Sequence, residues 1–342
     1  MTQRAQGHAE GQATEPAEGH SGGHGGGKAI IAALLANIGI AVSKFVAFFI
    51  TGATSMLAEA IHSVADSGNQ VLLLVGGRRA QREATAEHQF GYGRERYVYA
   101  FIVSVVLFSV GGLFALYEAY HKWHEVHDGG PDELLESKWW WVPLVVLSIA
   151  IVMESFSLRT AVHEANPLRE GRSWVQFVRV AKAPELPVVL LEDTAALLGL
   201  ALALAGVGLT LLTGNAHFDV AGAAAIGLLL IAVAVVLAIE TRSMLLGESA
   251  APEAVERIRG ALDGAPGVER IIHLRTLHLG PDELLVGAKI AVEHDDSAGS
   301  VARAIDEAER RVRAAEPSAT TIYLEPALDR GAADRTAGGA GG

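Results

Sequence analysis

The 342-residue chain contains no cysteine, so disulfide bonds and cysteine-based zinc sites are excluded. Basic residues are also in short supply. Only 27 Lys and Arg stand against 39 Asp and Glu, which gives a formal net charge of −12. Because no basic face is evident, this composition argues against a nucleic-acid-binding protein.

The motifs of two enzyme classes are also missing. His124-Glu125 and His163-Glu164 both lack the second histidine that a His-Glu-x-x-His metalloprotease helix requires. No Walker loop is found that could cradle the phosphates of ATP. We therefore expect neither an intramembrane metalloprotease nor an ATP-driven pump, and we expect that the chain is not an enzyme.

Long apolar runs are abundant. Half of the residues are hydrophobic, and the mean hydropathy is +0.30. Runs of about 20 apolar residues are typical of helices that cross a bilayer. We predict a multi-pass α-helical membrane protein with six transmembrane helices, at about 28–50, 55–76, 98–120, 139–160, 186–212 and 217–240.

Lysine and arginine are distributed unequally among the predicted loops. Loop 77–97 carries five arginines, and segment 159–184 carries four arginines and one lysine. Loop 121–138 carries only two lysines. Since positive charge favours the cytoplasmic side, we expect both termini to be cytoplasmic. The richness in Ala, Gly and Arg is typical of bacterial chains with GC-rich coding, which suggests the plasma (bacterial inner) membrane.

Beyond Gly247 the pattern becomes that of a small α+β domain. Two amphipathic helices and three alternating strands are predicted in the order α-β-β-α-β, at 252–263, 268–279, 284–293, 299–315 and 320–326. This order indicates two layers. Its sheet would have an edge and an open face, so we expect a homodimer.

These patterns divide the chain into four parts. We predict a disordered tail over 1–27, a transmembrane domain over 28–246, a cytoplasmic domain over 250–327 and a second disordered tail over 328–342. The first tail is rich in Gly, Ala, Glu and His and has no early apolar core, so it does not resemble a signal peptide.

The second predicted span carries polar residues within the stretch 55–70. An ionised residue near the bilayer centre costs roughly 2.5–3.5 kcal/mol, so this stretch must face a bundle interior or a hydrated cavity. At about 100° per residue, Glu59, His62, Asp66 and Asn69 face within about 100° of one another. The His-x-x-x-Asp spacing suits a divalent cation, although a purely structural stripe of hydrogen bonds is the alternative.

A second acidic pair, Glu192-Asp193, lies in the fifth predicted span. Adjacent helical residues point about 100° apart, so one carboxylate can ligate a metal while the other supports it. The alternative is a solvated pair near the membrane surface. Lys44 and Glu154 are among the other charged residues within the predicted spans. Lys44 either extends to the interface or pairs with a site carboxylate, and Glu154, near a span end, is expected to face water or basic loops.

Several long segments of residues 28–326 resemble the cation diffusion facilitator family of divalent-metal transporters. The resemblance is carried, in order, by AEAIHSVADSGNQ, HQFGYGRERYVYAF, RSWVQFVRVAKAPELPVVLLEDTAALLGL and FDVAGAAAIGLLLIAVAVVLAIETRSMLLGES. It implies six transmembrane helices, a cytoplasmic ferredoxin-like domain, a homodimer, and exchange of metal for protons. The chain is most similar to the branch with Glu-Asp on the fifth helix, related to the mitochondrial-type zinc transporters.

The resemblance also implies a metal site with two residues from the second helix and two from the fifth, each pair spaced four apart. His62 and Asp66 match the first pair, and Asp193 matches the second member of the other. Position 189, where the remaining ligand would fall, holds Val189. Glu192 is the substitute that we predict.

The predicted function is export of a divalent cation from the cytoplasm by proton antiport. Zinc is the first candidate for this cation, and manganese, iron and cobalt are the others. The metal is the transported substrate, and no cofactor is expected. The partners are protons, the lipid bilayer and a second copy of the chain. The alternative is a membrane-bound sensor or scaffold that binds metal without transport. His273, His278 and His294 are candidates for regulatory metal binding, with surface or packing roles as the simpler expectation.

Overall fold

The structure, a computed structural model, describes residues 26–128, 133–169 and 171–328. The predicted disordered tails therefore lie almost wholly outside the described residues.

The described chain is mostly helical. The long helices are α1 Gly26–Thr51, α2 Thr54–Ala80, α3 Glu95–Val106, α4 Phe114–His127, α6 Val142–Arg169, α8 Glu185–Thr213 and α9 His217–Leu246. Shorter helices are α5 Glu133–Glu136 and α7 Trp174–Val180. A π-helical segment, Leu107–Leu113, joins α3 to α4, so that Glu95–His127 forms one continuous helix.

The helices confirm the predicted multi-pass membrane fold. Among the described residues, four continuous helices are long and apolar enough to cross a bilayer: Glu95–His127, Val142–Arg169, Glu185–Thr213 and His217–Leu246. Helices α1 and α2 occupy the first two predicted spans. Helix α2 is less apolar because it carries the polar stripe.

Helices α1, α2, α6 and α8 pack around a common interior. Helix α1 contacts α2 and α6, and α8 contacts α2 and α6. Helix α9 packs against the outer side of this group together with α3 and α4. The π-helical segment and α9 approach each other closely at a glycine, since a Cβ on Gly112 would lie 2.5 Å from Cγ1 of Ile231 on α9. The polar face of α2 is directed toward the interior of this four-helix group.

The beginning of α2 is held by a side chain from a distant helix. Asp219 of α9 accepts a hydrogen bond from the Thr54 amide at 2.6 Å and from the Ser55 amide at 3.3 Å. It also accepts a short hydrogen bond from the Ser55 hydroxyl. Because the first amides of a helix lack intrahelical partners, this buried carboxylate caps α2 and ties it to α9.

The last part of the chain forms a separate α+β unit. It contains α10 Pro252–Asp263, β1 Arg270–Gly280, β2 Glu283–Val292, α11 Ala298–Ala315 and β3 Thr321–Leu328. The strand order is β1-β2-β3, with β1 antiparallel and β3 parallel to β2. The predicted α-β-β-α-β domain is thus confirmed. Its own apolar core includes Ile258, Leu262 and Val312.

Charged residues connect this unit to the helices. Arg96 at the start of α3 lies 3.3 Å from the Glu185 carboxylate of α8 and 3.9 Å from Asp282 in the β1–β2 turn. Lys182, just before α8, forms an ion pair with Glu248, which follows α9. Burial opposes ionisation of Glu248, but hydrogen bonds from Lys182 and Ser243 outweigh it and lower the pKa of this carboxyl.

His278 lies at the same junction and gives it a predicted pH dependence. Its amide donates to the Glu248 carbonyl at 2.9 Å, and its ring lies in a buried position. Burial lowers the pKa of His278 below its ordinary value of 6.5, although the Gly280 carbonyl opposes the shift. As the pH falls, the His278 ring is therefore protonated in the unfolded chain before it is protonated in the folded protein. The contribution of neutral His278 to folding stability is present above pH 6.5 and is lost as the pH drops below it.

We expect the melting temperature of the purified protein to fall between about pH 8 and about pH 5.5 by a larger amount in the wild type than in His278→Gln. The comparison isolates His278, because all other titrating groups are shared. An identical pH dependence in both proteins would show that this ring does not couple protonation to folding.

Candidate metal site

The polar stripe of α2 faces the interior of the bundle. Glu59, His62 and Asn69 are at most 1% exposed, and the Asp66 side chain is 14% exposed. The prediction that this face avoids lipid is consistent with these positions. The four residues lie within three turns of one helix. Glu59 contacts α1 and Asn69 contacts α8, and Asp66 lies between them along the helix.

His62 and Asp66 form the first half of the candidate site. The His62 Nδ1 atom lies 3.4 Å from the Asp66 Oδ1 atom, as the spacing of four residues predicts. Both ring nitrogens of His62 and the Asp66 Oδ1 atom are buried without a hydrogen-bond partner among the described residues. Buried polar atoms without partners are costly unless a ligand satisfies them, and nitrogen with carboxylate oxygen suits a zinc-type cation.

Glu192 and Asp193 of α8 form the second half. Glu192 Oε1 accepts a hydrogen bond from Asn69 Nδ2 of α2 at 2.7 Å. Asp193 Oδ2 accepts one from the Ser157 hydroxyl of α6 at 2.8 Å. Both carboxylates are buried. The pair is therefore inside the bundle, and the alternative of a solvated pair at the membrane surface is not what the structure shows.

The four predicted ligands are neighbours without forming one coordination sphere. Asn69, three residues after Asp66 on α2, donates to Glu192 across the α2–α8 interface. Nevertheless, no three His, Asp or Glu side chains within residues 26–128, 133–169 and 171–328 lie close enough together to hold a metal ion. In this conformation Glu192 and Asp193 are engaged by Asn69 and Ser157 instead.

Lys44 lies beside this site and does not extend to the interface. It is 1% exposed, and its Nζ atom donates to Glu59 Oε2 at 3.0 Å and to the Ser63 hydroxyl at 2.7 Å. The interfacial expectation for Lys44 is thus wrong, and pairing with a carboxylate of the stripe is what is found. The other Glu59 oxygen approaches Gly199 of α8, where a Cβ would lie 2.5 Å away.

Glu154 is also placed differently from the expectation that it faces water or basic loops. It lies on α6 and lines a small cavity together with Asp66, Ser63, Asn37 and Ile40. The cavity has a volume of about 10 Å³, room for about one water molecule. Glu154 therefore adds a third helix, α6, to the acidic surroundings of Asp66. The sequence signal available for this placement was the spacing of three residues between Glu154 and Ser157, which puts both on the same face of α6.

The histidines of the C-terminal domain are not gathered into a site. His278 is packed at the junction, whereas His273 on β1 and His294 after β2 are exposed. Val189, at the position where a ligand is usual, packs against the apolar core of the bundle. Glu192 on α8, the fifth predicted span, therefore remains the predicted substitute for a ligand at position 189.

These features define a class of protein. The chain is a multi-pass helical membrane protein with a polar, partly acidic bundle interior and a small α+β domain at one end. It belongs to the cation efflux, or cation diffusion facilitator, family. The family model for the cation efflux transmembrane domain matches residues 30–246, and the model for the cation efflux protein cytoplasmic domain matches residues 250–327. The resemblance found in the sequence is thereby confirmed.

Relatives of the mitochondrial zinc-transporter branch match over most of the chain. The human protein named proton-coupled zinc antiporter SLC30A9, mitochondrial, is 33% identical over 265 residues, covering 77% of this chain and 45% of the relative. Metal tolerance protein C4 of Arabidopsis thaliana is 27% identical and covered to 56%. The chain thus spans about half the length of these relatives.

Solved structures match a small part of the chain. A nickel form of the MamM CTD is 18% identical, covers 23% of this chain and 98% of that chain, and has a TM-score of 0.22.

Proposed function

We propose that this protein exports a divalent metal cation, with zinc as the first candidate, from the cytoplasm in exchange for protons. The observation that carries the proposal is the His62–Asp66 pair on a membrane helix: both His62 ring nitrogens and the Asp66 Oδ1 atom are buried with no hydrogen-bond partner in the part of the chain that the structure describes. The name of the human relative, a proton-coupled zinc antiporter, supports both the metal and the coupling.

The exchange follows from competition for the same atoms. A metal requires a neutral His62 ring and ionised Asp66 and Asp193 carboxylates, because only lone pairs can ligate. Protons occupy those lone pairs when the metal is absent. A bound metal ion or bound protons therefore neutralise the buried carboxylates, whose negative charge would otherwise be costly in the bilayer. A proton gradient across the membrane then drives the metal in the opposite direction.

Binding needs a rearrangement between α2 and α8. Asn69 must release Glu192, or Ser157 must release Asp193, before these carboxylates can join His62 and Asp66 around one cation. A hydrated cation does not fit the cavity of about 10 Å³ beside Asp66. We therefore assign the conformation described here to a closed arrangement and propose that α2 and α8 separate to admit the metal.

We also propose the arrangement of the whole protein in its membrane. Both termini lie in the cytoplasm of a bacterial cell, and the transmembrane unit spans 28–246. The domain over 250–327 pairs with a second copy of the chain. The arginines at the α2 end and after α6 support this orientation, since positive charge favours the cytoplasmic side.

Metal uptake into vesicles tests the proposal. The purified protein is reconstituted with a zinc-sensitive dye in the lumen, and uptake is recorded with and without an imposed pH gradient. We expect zinc entry that accelerates when the lumen is acidic, together with loss of lumenal protons. A sensor or scaffold would bind zinc to the protein and leave the lumenal dye unchanged, which would overturn the proposal.

A further inference from the structure

A large apolar cavity lies at the junction of α6, α7, α8 and α9, outside the candidate metal site. Its volume is about 620 Å³, within the range of cavities that bind small molecules. The walls are formed mainly by aliphatic side chains, including Leu158, Val162 and Leu190. On the α9 side, Val236 and Ile239 also line the cavity and are exposed on the helix surface, so the cavity is open toward the bilayer.

Helix α7 closes one end of the cavity and has the character of a helix lying in the membrane interface. It begins with a capping box between Ser173 and Gln176 and buries only Phe177. Trp174 and Val175 line the cavity and remain 37% and 64% exposed. Exposed Trp and aliphatic residues on a short helix between basic residues are typical of the boundary between headgroups and acyl chains.

Positive charge is concentrated at this end. Arg179 of α7 lines the cavity, is 71% exposed, and lies 4.0 Å from Glu240 of α9. The guanidinium of Arg169 lies 4.5 Å from the centre of the Trp174 ring, and its Nε atom is buried without a hydrogen-bond partner among the described residues. Arg179 thus lines the apolar cavity and Arg169 lies over Trp174, which also lines it, while Glu240 is the one acidic side chain among the described residues of the lining.

We propose that this cavity binds an anionic phospholipid of the same leaflet. One acyl chain lies between α6, α8 and α9, and the headgroup phosphate is bound by Arg179 and Arg169. Apolar walls open to the bilayer favour an acyl chain over a soluble ligand, and the guanidinium groups at this end favour a phosphate. A second copy of the chain would instead cover the cavity with protein.

The occupant would also contact the helix of the candidate site. Leu191 and Thr194, which line the cavity, flank Glu192 and Asp193 on α8. A lipid in the cavity therefore supports α8 from its outer side while the carboxylates face inward. This consequence rests on the proposed transport function, whereas the lipid site itself does not.

Fluorescence of Trp174 tests the lipid site directly. The chain has five tryptophans. Replacing the other four, Trp123, Trp139, Trp140 and Trp141, by Phe leaves Trp174 as a single reporter at the cavity. The variant is reconstituted in phosphatidylcholine and titrated with lipids that carry brominated acyl chains, either phosphatidylglycerol or phosphatidylcholine. We expect the anionic lipid to quench at about fivefold lower mole fraction, the preference that one arginine near an anionic surface provides.

Three further variants in the same background assign the preference. Arg179→Gln is expected to reduce it, and Val236→Phe, which narrows the cavity, to weaken quenching by both lipids. Arg78→Gln, an exposed arginine at the end of α2, is the matched control and should retain the preference. Equal quenching by both lipids in the parent, or a full preference in Arg179→Gln, would overturn the proposal. Absence of quenching by either would show that protein covers the cavity. Binding is measured without transport, so failure of the proposed function would leave this result intact.

Discussion

Replacing Asp66 by alanine is expected to reduce metal-driven proton flux in proteoliposomes to the rate of protein-free vesicles. The same loss is expected for Asp193→Ala. Each variant removes a buried carboxylate that must exchange a proton for a bond to the metal, and a neutral methyl group can do neither. Flux is measured as the pH change of a lumenal dye after zinc is added outside.

Variants beside these carboxylates should behave differently. Asn69→Ala removes only the hydrogen bond that Glu192 gives up to bind the cation, and no carboxylate, so it is expected to retain proton flux without weakening zinc binding. Ser67→Ala is the matched control on α2, because within the described part of the chain its hydroxyl donates to the Ser63 carbonyl of its own helix and not to a ligand candidate. Retained flux in both Asp66→Ala and Asp193→Ala would remove this site from the mechanism.

Replacing Lys44 by methionine is expected to destabilise the folded protein by about 3–5 kcal/mol, because it leaves the Glu59 carboxylate buried and without its cation. Both groups of this pair are at most 1% exposed, so water cannot take over the role of Lys44. The loss is measured as a lower melting temperature and a lower yield of folded protein in detergent.

A double variant separates this effect from metal binding. Lys44→Met combined with Glu59→Gln removes both charges together and should recover most of the stability, since replacing a whole buried pair is far less costly than breaking it. It should also retain zinc transport, because one Glu59 oxygen is engaged by Lys44 and the other lies against Gly199 of α8. Unchanged stability in Lys44→Met alone would contradict this account of the pair.

The fold was predictable because its signals are local. Runs of about 20 apolar residues identify membrane helices, and alternation identified the three strands of the C-terminal domain. Helix α7 and the π-helical segment were not predicted. Helix α7 is only seven residues long, and its one signal was Ser173 followed by Gln176 three residues later. The π-helical segment Leu107–Leu113 lies in a regular apolar run, where nothing in the sequence marks a change of helix type.

The site was predictable only in its first half. Helical spacing alone places His62 next to Asp66, and the structure agrees. The partners across helices depend on how α1, α2, α6 and α8 are arranged, which spacing within one helix does not determine. For that reason Lys44 had two open interpretations, and Glu154 was placed near water although it lines a cavity with Asp66. The assignment of Glu192 and Asp193 as ligands stays a prediction.

We propose that one cation is held between α2 and α8 by His62 and neighbouring carboxylates. Zinc K-edge X-ray absorption on the purified protein, loaded with one equivalent of zinc, tests it most directly. We predict oxygen ligands together with scattering from an imidazole ring, and loss of the imidazole signal in His62→Ala. The same imidazole signal in wild type and His62→Ala would place the metal at another of the 13 histidines and contradict the account.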